Sequence, residues 1–128
     1  MQLMLEEGLP FISMLVASPG SVATIDRVLV DSGSASTILA AQAVEAVGIE
    51  PQLDDTLYSV RGVGGVETVY ARRIPRLAIG QLTLHDVEVE IGAMSYGFPI
   101  DGILGMDILT QTGAIIDLHR LTLEFAGP

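Results

Sequence analysis

The sequence predicts a mostly β fold with two short helices, and three observations predict it. Apolar runs are short and broken by Gly, Pro and Asp at intervals that suit strands and turns. Several runs alternate apolar with other side chains, as Leu121, Leu123 and Phe125 do near the end of the chain. Only 41–47 and 106–112 combine helix-compatible composition with a glycine placed to stop a helix.

In order, residues 9–17 read as a strand closed by Ser18-Pro19-Gly20, and 22–30 as its hairpin partner across that turn. The second strand ends in the apolar run Val28-Leu29-Val30 and delivers Asp31-Ser32-Gly33-Ser34. A short apolar piece around Ile38 and Leu39 follows. The Ala-rich segment 41–47 is the better helix of the first half, stopped by Gly48 and kept from resuming by Pro51. Ala40 stands where a capping side chain is preferred and has none to offer.

Residues 56–61 and 66–72 flank Gly62-Val63-Gly64-Gly65, a hairpin with a glycine tip. Residues 74–79 are expected as a further strand, with Pro75 near its start. Leu82, Leu84, Val87, Val89 and Ile91 fit a strand pair or one bulged strand. Residues 100–104 are apolar apart from Asp101 and Gly102. The segment 106–112 is a short helix stopped by Gly113, and 114–118 with 121–125 close the chain as a hairpin turning at His119-Arg120. No repeat or low-complexity stretch interrupts the pattern, so residues 1–128 read as a single domain.

A chain of 128 residues fits one domain, small enough to gain stability from a partner subunit. With 49% hydrophobic and 17% charged residues it is too apolar to be disordered. A net charge of −10 provides no basic footprint for nucleic acid and disfavours anionic membrane surfaces. The absence of Cys rules out a disulfide framework and thiolate chemistry. Near the N-terminus the apolar run is short, and Glu6 and Glu7 precede it where a signal peptide carries Lys or Arg. No apolar run reaches the roughly 20 residues that a membrane helix needs. The expectation is a soluble, cytoplasmic protein.

Chemistry concentrates at Asp31. An apolar strand delivers a carboxylate, and a hydroxyl and a glycine follow at once, so the chain can turn sharply beside an acid held by a rigid element. One carboxylate cannot both activate water and protonate a carbonyl in a single encounter. Two can, because carboxyl groups about 3 Å apart cannot both ionise near neutral pH and so share a proton. The sequence holds no second Asp-Ser/Thr-Gly, which makes Asp31 of another copy, across a two-fold axis, the expected partner.

Asp31-Ser32-Gly33-Ser34 resembles the Asp-Thr/Ser-Gly-Ala/Ser signature of retropepsin-like aspartic peptidases. Three further features are similar to that family in order and spacing. A short helix ending in Gly48-Ile49 follows the signature. Val60 through Gly65 falls where the family has its flap. Ile103-Leu104-Gly105, leading into Met106-Asp107-Ile108-Leu109, is similar to the second signature of two apolar residues and a glycine entering a helix. Gly113 through Leu118 also resembles the tail of cellular and bacterial members, so the likeness spans roughly residues 9–126.

The resemblance implies a closed β-barrel, active as a homodimer on a polypeptide substrate, with no cofactor and no metal. It implies Asp31 as the catalytic carboxylate and Ser32, Gly33 and Ser34 as loop support. Ser32 would brace the other subunit's loop, and the Ser34 hydroxyl would bond the outer oxygen of Asp31. Gly62, Val63, Gly64 and Gly65 would form the flap, and Ile103, Leu104 and Gly105 would pack under the Asp loop. Two departures stand out: Ser32 replaces the commoner Thr, and the flap lacks a bulky aromatic at its tip. The function implied is aspartic endopeptidase; the alternative is a catalytically silent module for dimerisation or peptide binding.

The remaining polar residues have plainer readings. Asp101 reads as a turn or local salt bridge, Asp54-Asp55 as a solvated loop, and Asp107 and Asp117 as cap or surface carboxylates. His85 and His119 lie far apart and do not make a metal site. The serines lack a nucleophile elbow.

Overall fold

The computed structural model describes residues 1–62 and 65–126. The first expected hairpin is present as β2 (Leu9–Ser18) and β3 (Ser21–Val30), paired from Ser18↔Ser21 to Phe11↔Leu29 around Gly20, which adopts φ 81°. A bulge opposite Ser13 puts one extra residue into β3 and shifts its inward phase from Ile25 to Val28 and Val30. Ile12, Met14 and Val16 enter the main core, while Phe11 enters a second, smaller apolar cluster. An extra strand, β1 (Met4–Glu6), folds back on Leu9–Phe11 through Glu7 (φ 52°) and Gly8 (φ 79°). Two successive positive φ values suit a tight hairpin turn, but a Glu in the first position carries little turn signal.

After Asp31 come β4 (Ile38–Ala40) and a helical segment over the expected residues 41–47, only the first part of it α-helix. The α-helix α1 covers only Ala41–Val44 and tightens into a 3₁₀ turn at Glu45–Val47, which Gly48 ends at φ 78°. Ala40 supplies no side-chain cap, and the β-branched Val44 and Val47 add little helix propensity.

The second hairpin is β5 (Tyr58–Gly62) with β6 (Gly65–Ile79), paired from Tyr58↔Val69 to Gly62↔Gly65. Val63 and Gly64 lie outside the described residues. The expectation of a separate strand at 74–79 is corrected: β6 runs straight through Pro75. Its partner β7 (Leu82–Gly92) is likewise continuous. Ile74↔Val87 and Arg76↔His85 hold one register on either side of Pro75 and Asp86. Pro75 has no N–H to donate, and Asp86 opposite it takes φ 54°. The inward phase shifts there on both strands. Tyr70 and Ile74 face the main core, then Leu77 and Ile79; across from them Leu84 faces it, then Val87, Val89 and Ile91. That shift makes each strand look like two elements in sequence.

With β8 (Gly102–Leu104), the strands form one sheet in the order β1-β2-β3-β8-β4-β7-β6-β5. An additional β2–β6 pairing, Leu15↔Ala78 through Ala17↔Arg76, makes the sheet double back over its main core. Helix α2 (Met106–Gln111) follows β8 and is stopped at Gly113, φ 60°. β9 (Ala114–Asp117) and β10 (Thr122–Phe125) make a separate ribbon. The N-terminal residues run along β10, with Leu3 N–H on Leu121 O and Leu123 N–H on Met1 O, both at 2.8 Å. No helix among the described residues is long and apolar enough to cross a membrane.

Candidate active site

β8 is inserted between β3 and β4. It runs parallel to β3 (Val28↔Gly102, Leu29↔Ile103, Val30↔Leu104) and antiparallel to β4 (Ile38↔Ile103, Leu39↔Gly102). A Cβ on Gly102 would meet Leu39 Cδ2 at 3.2 Å and Val28 Cγ2 at 3.3 Å, so the glycine is what lets the strands close at this point. Asp31 N–H donates to Leu104 O at 3.0 Å, which carries the ladder one residue past β3 and fixes where the carboxylate starts.

Beyond that point the loop is held locally. Gly33 N–H donates to Asp31 Oδ1 at 2.9 Å and Ser34 N–H to Asp31 O at 3.2 Å, an Asx-type turn. Asp31 is half-buried, while Ser32 and Gly33 are exposed. The Ser34 hydroxyl does not reach Asp31. It donates to Ser36 O at 2.8 Å, because the turn directs it along the loop rather than back to the carboxylate.

The loop rests on the start of α2. Met106 N–H donates to Ser34 O at 2.8 Å and Asp107 N–H to Ala35 O at 3.2 Å, so two otherwise unpaired helix N–H groups are satisfied by the loop. Gly105 makes this approach possible. A Cβ there would stand 2.3 Å from Ser36 O and 3.0 Å from Ser34 O, which no side chain tolerates.

Asp107 is more than the cap or surface carboxylate expected of it. Its Oδ2 accepts Thr37 N–H at 3.0 Å, and its Oδ1 accepts the Thr37 hydroxyl at 2.7 Å and Ile108 N–H at 2.8 Å. Thr37, fully buried, accepts Gly105 N–H at 3.0 Å on the same hydroxyl oxygen. Sequence reasoning missed Thr37. The available signal was a hydroxyl directly before the buried run Ile38-Leu39, where a polar group needs a partner. Asp101 serves the same assembly through its backbone: its N–H donates to Arg27 O at 2.8 Å and its O accepts Ala40 N–H at 2.9 Å.

The face of β3 that carries Asp31 also carries Leu29 and Arg27, by strand alternation. Leu29 packs on the second apolar cluster, formed by Phe11, Ile38, Ala40, Val69, Met94, Ile100 and Ile103, and Val60 of the β5–β6 hairpin packs there too. About 13 Å along that face, four residues at strand rise, a cavity of about 330 Å³ opens beside Arg27, lined also by Glu6, Leu9, Phe11, Phe98 and Pro99. Arg27 organises it. Its Nε donates to Pro99 O at 2.7 Å, its Nη1 pairs with Glu6, and its guanidinium lies 4.5 Å over the Phe11 ring. Above the cluster, Glu67 Oε1 accepts Met94 N–H at 3.0 Å and the Tyr96 hydroxyl at 2.9 Å. Burial first, then the bond to Glu67 and its charge, push the Tyr96 phenol up to about 12. Of the residues expected as flap, Gly62 and Gly65 end the described hairpin strands.

The chain is similar to known proteins. The aspartyl protease family model matches residues 20–108, from the turn before β3, through the Asp31 loop, to the first turn of α2. The UBA domain-containing protein Mud1 of Schizosaccharomyces pombe is 33% identical over 102 residues, covering 79% of this chain and 30% of that protein. DNA damage-inducible protein 1 of Kluyveromyces lactis is 27% identical over 101 residues, covering 78% of this chain and 23% of that protein. The chain thus matches less than a third of the length of either relative. A solved retropepsin-like aspartic protease from Rickettsia conorii superposes with a TM-score of 0.67 at 16% identity, covering 96% of this chain and 95% of that one. At that identity the likeness speaks for the fold. With the family model spanning the Asp31 loop and its support on α2, the chain belongs to the aspartyl protease family and has a retropepsin-like fold.

Proposed function

We propose that the chain is an aspartic endopeptidase that hydrolyses peptide bonds with water activated at a dyad of Asp31 and the Asp31 of a second copy. One observation carries the reading. The single Asp-Ser-Gly loop holds its carboxylate by one oxygen, through Gly33 N–H, at the edge of an apolar cluster. The other oxygen is the one to meet its symmetry mate. In the dyad one carboxylate takes a proton from water as hydroxide adds to the peptide carbonyl. The other, protonated, gives its proton to the carbonyl oxygen. Collapse of the tetrahedral adduct breaks the C–N bond, with a proton delivered to the departing amine.

The supporting residues take their roles from this reading. Gly33, without a side chain, lets the two loops approach. Ser32, exposed, reaches the other loop, while Ile103, Leu104 and Gly105 carry the loop from beneath. The hairpin end at Gly62 and Gly65, with Val63 and Gly64, covers an extended polypeptide. Ile115, Ile116 and Leu118 are apolar and exposed on and beside β9, and offer surface to a second copy.

The test is cleavage of a mixed peptide library at several pH values by wild type, Asp31→Asn and Asp31→Ala. Both variants are expected to lose cleavage while remaining folded and dimeric, and the wild-type rate per subunit is expected to fall on dilution below the dimer Kd. Undiminished cleavage by Asp31→Asn removes the mechanism. A wild type that binds peptides and cuts none makes the chain a silent binding module.

A further inference from the structure

We infer that Glu67 is a positioning residue that ties the β5–β6 hairpin, near its end, to the 93–101 loop, so that the apolar surface these two segments share with Leu29 keeps one shape. This rests on the peptidase reading above. Glu67 stands on β6 opposite Val60, close to the hairpin's end. Its carboxylate leaves its own strand, crosses the end of β7 and takes two donors from the loop, Met94 N–H at 3.0 Å and the Tyr96 hydroxyl at 2.9 Å.

Two further features show that the crossing is built in. A Cβ on Gly92 would come within 3.2 Å of Glu67 Cγ and Cδ, and Gly92 is the residue over which the Glu67 stem passes. Met94 adopts φ 57°, a left-handed conformation that a Met rarely takes. Its side chain is buried in the second apolar cluster and its N–H is held by Glu67, and together these maintain that conformation.

The two tied segments both line the same face. The hairpin brings Val60 onto the cluster that includes Leu29 and Ile103. The loop brings Met94 and Ile100 to that cluster, and Phe98 and Pro99 to the cavity beside Arg27. A peptide lying along the Leu29 face therefore meets apolar surface that both segments carry, and Glu67 fixes how the two sit against each other. Because Glu67 acts through the loop and the hairpin and not on the reacting atoms, its loss weakens the hold on substrate more than it slows the chemical step.

Hydrogen exchange and peptide kinetics on Glu67→Ala, Glu67→Gln and Tyr96→Phe test this. In Glu67→Ala, amide protection is expected to fall together at Met94 and in hairpin residues 58–62 and 65–68. KM is expected to rise about fivefold or more, with kcat within about threefold of wild type. Glu67→Gln keeps the accepting oxygen and is expected to restore both readouts. Tyr96→Phe removes one donor, gives a smaller rise in KM, and serves as the readout if Glu67→Ala does not fold. Loosening of the loop with an unchanged hairpin, or a Gln variant as impaired as the Ala variant, overturns the inference. A wild type that cuts no peptide sinks the peptidase reading, and the exchange data still decide whether Glu67 couples the two segments.

Discussion

The Asp107 carboxylate holds both donors of Thr37, the backbone N–H at 3.0 Å and the hydroxyl at 2.7 Å. Since the Thr37 oxygen also accepts Gly105 N–H, one buried hydroxyl joins the end of the Asp31 loop to the start of α2. Thr37→Val keeps the shape and removes the hydroxyl. It leaves Gly105 N–H without an acceptor and Asp107 short of one donor, at an expected cost of about 2–4 kcal/mol. Thr37→Ser keeps the bonds and is expected to lose no more than about 1 kcal/mol, through the missing methyl. Denaturant unfolding at fixed protein concentration measures both. A Val variant as stable as the Ser variant would show that the bridge contributes nothing.

Gly105 and Gly102 separate two kinds of glycine requirement. A Cβ at Gly105 collides with backbone, 2.3 Å from Ser36 O, and neither partner can yield without moving the Asp31 loop. Gly105→Ala is expected to destabilise by about 3 kcal/mol or more and to fail as soluble protein at 37 °C. At Gly102 the nearest atoms are side-chain methyls at 3.2 and 3.3 Å, which can shift. Gly102→Ala is expected to cost about 1–2 kcal/mol and to remain soluble. Thermal unfolding and soluble yield rank the two, and the opposite order would contradict the loop packing.

Arg27 links three segments, so its replacements should differ. Lys can still meet Glu6 but cannot at the same time donate to Pro99 O and stack flat on Phe11. With the ion pair partly exposed, Arg27→Ala is expected to lose about 1–2 kcal/mol, and Arg27→Lys to recover less than half of that. Since the Glu6 pair is open to solvent, the loss should change little in high salt if stacking and the Pro99 bond dominate. A loss that disappears in salt would assign the effect to the ion pair alone.

Tyr96 makes an alkaline signature. Its phenol, ordinarily near 10, is raised to about 12 in the fold, so the native state prefers the protonated form. The stabilisation is complete below pH 10 and is lost as pH rises from 10 through about 12. Tyr96→Phe has no proton to lose, and its stability should decline less over that window. Tyr58 and Tyr70 are also raised, by burial first. Phenolate absorbance of the native protein should therefore appear only above the ordinary tyrosine range. A native titration centred at 10 would show that Glu67 does not hold the Tyr96 hydroxyl in solution.

Much of the fold is legible in local pattern. The Pro19-Gly20 hairpin, the glycine stops at Gly48 and Gly113, and the apolar strand running into Asp31-Ser32-Gly33 are each written within a few residues, because turn geometry and strand alternation are short-range. The continuous β6 through Pro75 was not legible. A proline reads as a boundary, and only pairing with β7 on one side and β2 on the other keeps Arg76, Leu77 and Ala78 in the sheet.

The sequence by itself determined that Asp31-Ser32-Gly33 stands alone, where most of the strands run and where glycine is placed. The tertiary structure alone decided what those residues meet. Thr37 and Asp107 stand 70 positions apart and Glu67 and Tyr96 stand 29 apart, and neither pair has any periodic trace in the chain. A hydrogen bond between distant residues depends on how β8 slots between β3 and β4 and on how the 93–101 loop carries the chain from β7 to β8. The whole core selects that packing at once, and no short stretch of sequence encodes it.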